Sequence, residues 1–155
     1  MHPSNWLPAL LLLATALLAP ADTPTPLPTH FTTSAQISFG RTYDLKLTNG
    51  TLTYTFWDGH SLNPEVTTIT PTAARWQEFR QALDDLQIWQ WQASYQSDDI
   101  KPGSDHWTFD IVYPDRSINT RCNCFLGHKT KPELAPETLK RALEAIHQLI
   151  GQPFE

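Results

Sequence analysis

Six glycines, two cysteines and one methionine are few for a chain of 155 residues, and each scarcity narrows what the protein can be. So few glycines leave little material for phosphate-cradling loops, and neither a dinucleotide fingerprint nor a P-loop occurs. The G-x-S-x-G and H-E-x-x-H signatures of hydrolases and zinc proteases are also missing. Two cysteines cannot staple a disulfide-rich scaffold, nor do they complete a closed structural zinc site, which takes four protein ligands. Bases are scarce as well: 11 Lys and Arg stand against 16 Asp and Glu, for a formal charge of −5, and they form no cluster. A nucleic-acid partner is therefore not expected, because neutralised phosphates supply most of that affinity. The same balance argues against docking on an anionic membrane.

All of the acidic and basic side chains lie after residue 21. Ahead of them, Leu7–Ala19 is an apolar run broken only by Pro8 and Thr15. It is too short for a bilayer-spanning helix, which needs about 20 residues, and has the length of a signal-peptide core. Ala19-Pro20-Ala21 supplies small residues for cleavage, although the first residues carry no Lys or Arg. Residues 1–21 are thus expected to be a signal peptide, giving a periplasmic or secreted protein with no membrane span once it is removed. Residues 22–33 read as a Pro/Thr-rich linker, and 34–155 as a single domain of ordinary composition, 40% hydrophobic and 17% charged over the chain.

Within that domain the hydrophobic period changes several times. Gln36–Phe39 and Tyr43–Leu47 are short alternating runs, and Asn49-Gly50 then leads into Leu52–Trp57, the signature of a hairpin. On the second arm Leu52, Tyr54 and Phe56 share a face fit for a core, while Thr51, Thr53, Thr55 and Trp57 share the other. Thr70-Pro71 reads as a helix cap followed by a first-turn proline. Trp76, Phe79, Leu83 and Leu86 then recur at spacings of three and four, with Arg75, Glu78, Arg80, Asp84 and Asp85 set to solvate the helix. Ile88–Trp91 reads as a short strand or a packed connector. His106–Tyr113 and Ser117–Cys124 form a second strand pair around Pro114-Asp115-Arg116. Leu139, Leu143, Ile146 and Ile150 mark a last helix from about Pro136 to Ile150, closed by Gly151. The order ββ(β)-α-(β)ββ-α predicts an α+β fold: an antiparallel sheet of four to six strands with two helices packed on one face. The other face of such a sheet is left to water or to a ligand.

Two constellations carry candidate chemistry. Cys122-Asn123-Cys124, with His128 four residues on, offers soft thiolates and an imidazole, a set suited to copper or zinc. His60, His106 or Asp110 would have to complete it. The leading reading is structural: in an oxidising compartment the same two cysteines pair as a local disulfide that pins the end of the strand, or they stand as two thiols in the core. Residues i and i+2 of a strand lie ~6.6 Å apart, at the far edge of disulfide reach, so thiol-disulfide exchange is a further alternative. The second constellation is aromatic. Trp57, off the core face, and the Trp89/Trp91 pair are the candidates for a binding surface, stacking on a carbohydrate ring or anchoring a protein partner. The acidic loop around Asp98, Asp99 and Asp105 lacks the calcium-loop pattern and reads as solvated charge. The sequence therefore points to an exported, non-catalytic binding or interaction module. A metal-binding protein using Cys122 and Cys124 is the second reading, and an enzyme of unrecognised type or an exchange protein the third.

Overall fold

A computed structural model describes residues 26–37, 40–97, 104–124 and 128–154. Residues 1–21, expected to be a signal peptide, and Asp98 and Asp99 of the acidic loop lie outside the described residues. The class is α+β. The chain runs β1 (His30–Gln36), β2 (Thr42–Thr48), β3 (Thr51–Trp57), β4 (Glu65–Ile69), α1 (Ala73–Asp85), β5 (Ser94–Ser97), β6 (His106–Val112), β7 (Ser117–Asn123), β8 (Thr130–Lys131) and α2 (Pro136–Ile150).

All eight strands form one sheet in the order β4-β3-β2-β1-β6-β7-β5-β8. Every pairing is antiparallel except β5 with β7, so the sheet is mixed and larger than the four to six antiparallel strands expected. The extra strands are those with no periodicity to read. β5 has four residues and β8 two, and β4 (EVTTI) carries no apolar alternation. β1 begins at His30, inside the Pro/Thr stretch and ahead of the expected Gln36–Phe39 run, of which Phe39 lies outside the described residues. Its short side chains hide a strict alternation in which Phe31, Thr33 and Ala35 are fully buried. β1 bridges the two hairpins, pairing with β2 on one side and β6 on the other.

The β2–β3 hairpin turns at Asn49-Gly50, both at positive φ (53° and 78°), as this two-residue turn requires. Helix α1 starts two residues later than expected. Thr72, not Thr70, is the cap, its hydroxyl accepting the Arg75 N–H at 3.2 Å. The Ile88–Trp91 connector is a single 3-10 turn over Ile88–Gln90 that buries Ile88 completely. Both helices lie on one face of the sheet. Phe31 meets Trp76 and Phe79 of α1 at ring distances of 6.2 and 5.4 Å, and Tyr43, on the same face, meets Phe154 just beyond α2 at 5.9 Å. Helix α2 contributes Leu139, Leu143, Ile146 and Ile150 to this core, as its spacing predicts. Gly151 ends it at φ 66°, and the Tyr54 hydroxyl then donates to the Pro153 carbonyl at 2.7 Å, fastening the following segment over β3. No helix among the described residues is long and apolar enough to cross a membrane.

Candidate functional site on the uncovered sheet face

Among the described residues, no helix covers the opposite face of the sheet. Cross-strand register places Thr68, Thr53, Lys46, Thr32 and Asp110 in one row across this face, and Val66, Thr55, Asp44, Ser34 and Thr108 in the next. None of these side chains is buried. Pleating puts alternate residues on opposite faces, so the threonines that flank Leu52 and Tyr54 in sequence are the surface of this layer. Near its middle the Ser34 and Thr108 hydroxyls lie 2.6 Å apart, and Thr108 also accepts the Ser34 N–H at 3.1 Å.

Among the described residues of these strands, the face has one aromatic anchor. Trp57 ends β3 opposite Thr42 and is 37% exposed. Its indole N–H donates to the Ser61 carbonyl at 2.7 Å, which fixes the ring against the β3–β4 loop. Asp58 organises that loop: its carboxylate accepts the N–H groups of His60 and Ser61 at 2.8 and 2.7 Å, and the Ser61 hydroxyl. The Ser61 side-chain bond, followed by the Ser61 and His60 amides, holds the Asp58 carboxyl down at about 2. Gly59 lies against Gly40 of the β1–β2 connection so closely that a Cβ on Gly59 would meet the Gly40 Cα at 2.6 Å; its φ is +85°.

An open cleft of about 430 Å³ results. Thr42, Asp44 and Thr55 form its floor, and Trp57, Ser61, Leu62 and Pro64 its wall. Partial desolvation raises the pKa of Asp44 from its ordinary value. The cleft thus sets one indole face beside a carboxylate and several hydroxyls, which is the chemistry of a polar-ligand site with an apolar stacking surface. Leu62, among the cleft residues, is 100% exposed, and Val66 on β4, opposite Thr55, is 62% exposed.

The other sequence candidates are placed differently. Trp89 is half-buried in the packing of α1 on the β6–β7 turn: its N–H donates to Asp84 at 2.6 Å, Arg80 and Arg116 lie over its ring at 5.1 and 5.7 Å, and its edge meets Tyr113. Trp91 packs edge-on to Tyr95 and Phe109 at 6.3 and 5.9 Å. Of the three tryptophans, only Trp57 stands on the uncovered face.

Cys122 and Cys124 form a disulfide with their Cα atoms 5.6 Å apart, nearer than regular strand geometry gives, because β7 ends at Asn123. The two residues are 3% and 2% exposed. With the two sulfurs joined to each other, the third residue of the proposed copper or zinc set, His128, lies exposed beyond the end of β7. The side chains that would complete a copper or zinc site are dispersed. The His106 ring bonds the Asn123 side chain, Asp110 lies 3.3 Å from His30, and His60 is in the β3–β4 loop. Among the described residues no group of three or more His, Cys, Asp or Glu is arranged to hold a metal. Asp105 is buried, and its backbone carbonyl accepts the Cys124 N–H at 3.1 Å.

The chain matches no protein-family model and no curated protein.

One arrangement escaped sequence reasoning. Arg80, expected on the solvated side of α1, is 8% exposed and pairs in fork geometry with Asp115 at 3.1 and 2.8 Å. Asp84 accepts from Arg80, Arg116 and Trp89, while the Arg80 guanidinium lies 4.4 Å over the Tyr113 ring. The Arg80 bond, then that of Arg116, keeps the Asp115 carboxyl at about 2. Two arginines answer two aspartates here, so the cluster carries no excess charge for a ligand. It locks α1 to the β6–β7 turn. The spacing of Arg80 and Asp84 by four was visible in the sequence, but the third partner, 35 residues on, was not.

Proposed function

We propose that this protein is an exported, non-catalytic binding module that holds a carbohydrate in the Trp57 cleft of its uncovered sheet face. The observation that carries this reading is the fixed indole of Trp57 beside the Asp44 carboxylate and the Thr42 and Thr55 hydroxyls. A pyranose ring has an apolar C–H face that stacks on indole and a rim of hydroxyls that bond carboxylates and threonines. Removal of residues 1–21 as a signal peptide places the domain in the periplasm or outside the cell, where such ligands are met. Binding is favoured over hydrolysis because glycoside cleavage uses two carboxyl groups flanking the bond, and Asp44 is the one carboxylate among the cleft residues. Asp58, close in sequence, spends its oxygen on the loop that carries Trp57.

The test is titration of the purified protein with a panel of soluble oligosaccharides, followed by tryptophan fluorescence and calorimetry. A binding saccharide should lose roughly tenfold in affinity, about 1.4 kcal/mol, when Trp57→Ala removes the stacking face. Trp89→Phe should leave affinity unchanged. A panel with no binder, or a binder indifferent to Trp57→Ala, would sink the proposal; a protein ligand captured at the same tryptophan would replace carbohydrate as the class.

A further inference from the structure

The Trp57 cleft is walled on one side. Trp57, Ser61, Leu62 and Pro64 close it along the β3–β4 loop, while its floor ends on β2 and none of its lining residues belongs to β1. The side toward β1 is therefore open among the described residues, and a ligand longer than one ring runs onto it. Strand register sets what it meets there. Trp57 lies opposite Thr42, Thr42 opposite Gln36, Gln36 opposite His106, His106 opposite Asn123, and Asn123 opposite Gln96. These six residues form one unbroken row on the uncovered face, from β3 to β5, and each is exposed or partly so.

The chemistry of the row is uniform. Beyond the indole every member is a hydroxyl, an amide or an imidazole, with no carboxylate, lysine or arginine among them. Such side chains both donate and accept hydrogen bonds, which suits a string of sugar hydroxyls and offers no counter-charge to an ionic polymer. The neighbouring row is different. It carries the charges of Asp44 and Arg121, and between them the Ser34 and Thr108 hydroxyls bond each other at 2.6 Å. In the Trp57 row the Asn123 amide oxygen accepts from Nδ1 of His106, which orients both side chains and keeps the Asn123 amide N–H groups for a ligand.

We propose that the ligand of the Trp57 cleft is an uncharged linear oligosaccharide that continues from the indole along this row, across β2, β1 and β6, to Asn123 and Gln96. The proposal rests on the carbohydrate reading of the cleft and adds the size, charge and direction of the ligand. Neighbouring strands lie ~4.8 Å apart, so five spacings give a path about 24 Å long, room for several rings in line. The first ring meets most of the cost in rigid-body freedom, and each later ring adds hydrogen bonds to an already docked chain.

Calorimetric titration with glucose, mannose and N-acetylglucosamine oligosaccharides of one to six units tests this, with a uronic-acid series of the same lengths for comparison. In a series that binds, affinity should rise at least tenfold from disaccharide to hexasaccharide. Gln36→Ala, at an exposed position, and Asn123→Ala should each weaken the hexasaccharide about fivefold, the loss of one hydrogen bond, and leave the disaccharide unchanged. Trp57→Ala should weaken every length. Affinity that depends on Trp57 but not on chain length overturns the extended site and leaves the cleft reading standing. A gain with length that survives in both Gln36→Ala and Asn123→Ala overturns the row as the path, and tighter binding of the uronic-acid series overturns the uncharged class. Failure of every series to bind removes the cleft reading and this inference together.

Discussion

The Arg80–Asp115 pair shows how far a single side chain can depart from what its place on a helix suggests. Arg80 lies among the polar residues of α1, yet its guanidinium is enclosed by Trp89 and Tyr113 and forked onto Asp115. Enclosure is tolerable because every ionic partner it needs is present; a buried charge left alone would be far costlier. The consequence is a dependence on acid. The folded-state pKa of Asp115 is lowered from 3.8 to about 2, so the charged form is favoured by folding. That stabilisation is complete above the ordinary carboxylate range and disappears as pH falls from 3.8 through the folded value. Asp58 adds a contribution of the same sign over the same window. Asp115→Asn should therefore be less stable than the wild type near neutrality, and the two should converge at the acid end of the window. Urea midpoints along a descending pH series measure this, and curves that stay parallel would refute it.

Among the elements, the β3–β4 loop is the one on which the proposed site depends. Its conformation rests on the Asp58 cap, on the Trp57-to-Ser61 hydrogen bond, and on Gly59 lying flat against Gly40. The two glycines are not interchangeable with alanine. At Gly59 a Cβ would sit 2.6 to 2.8 Å from three backbone atoms of Gly40, at a φ of +85° that L residues avoid. Gly59→Ala should cost about 2 kcal/mol or more in chemical denaturation and blue-shift or quench the Trp57 emission as the loop moves. Gly50→Ala, where a Cβ has open space, should cost only the backbone strain of a residue at φ +78°. Equal costs at the two glycines would mean that the Gly40 approach does not hold the loop. The Cys122–Cys124 disulfide is an element-scale feature too. It closes a very small ring in a buried strand end, so it restrains the unfolded chain little and is shielded from attacking thiols.

For the molecule as a whole, β1 is the keystone, since it joins the β2–β3–β4 and β6–β7–β5–β8 halves of the sheet. Phe31, the second residue of β1, is fully buried between the strands and the Trp76 and Phe79 rings of α1. Phe31→Ala should destabilise the protein by about 4 kcal/mol, whereas Leu27→Ala, at an exposed position ahead of β1, should cost under about 0.5 kcal/mol. A small effect at Phe31 in equilibrium denaturation would show that the two halves fold without it. Much of this architecture was legible in the chain. The hairpin at Asn49-Gly50, the α1 and α2 stripes and the β6–β7 pair all follow from local periodicity and turn chemistry, which need no knowledge of distant residues. So did the exposure of Trp57, because a side chain's face on a strand is set by parity alone. Tertiary structure decided the rest. β1, β4, β5 and β8 are strands because neighbours complete their hydrogen bonds, not because their own residues alternate visibly. The parallel placement of β5 beside β7, the burial of Arg80 and the packing of Trp89 and Trp91 all join residues far apart in the chain. Pairing partners, and which charges they bring, are settled only when the sheet closes, and the cleft beside Trp57 exists only once the β3–β4 loop is pressed against Gly40.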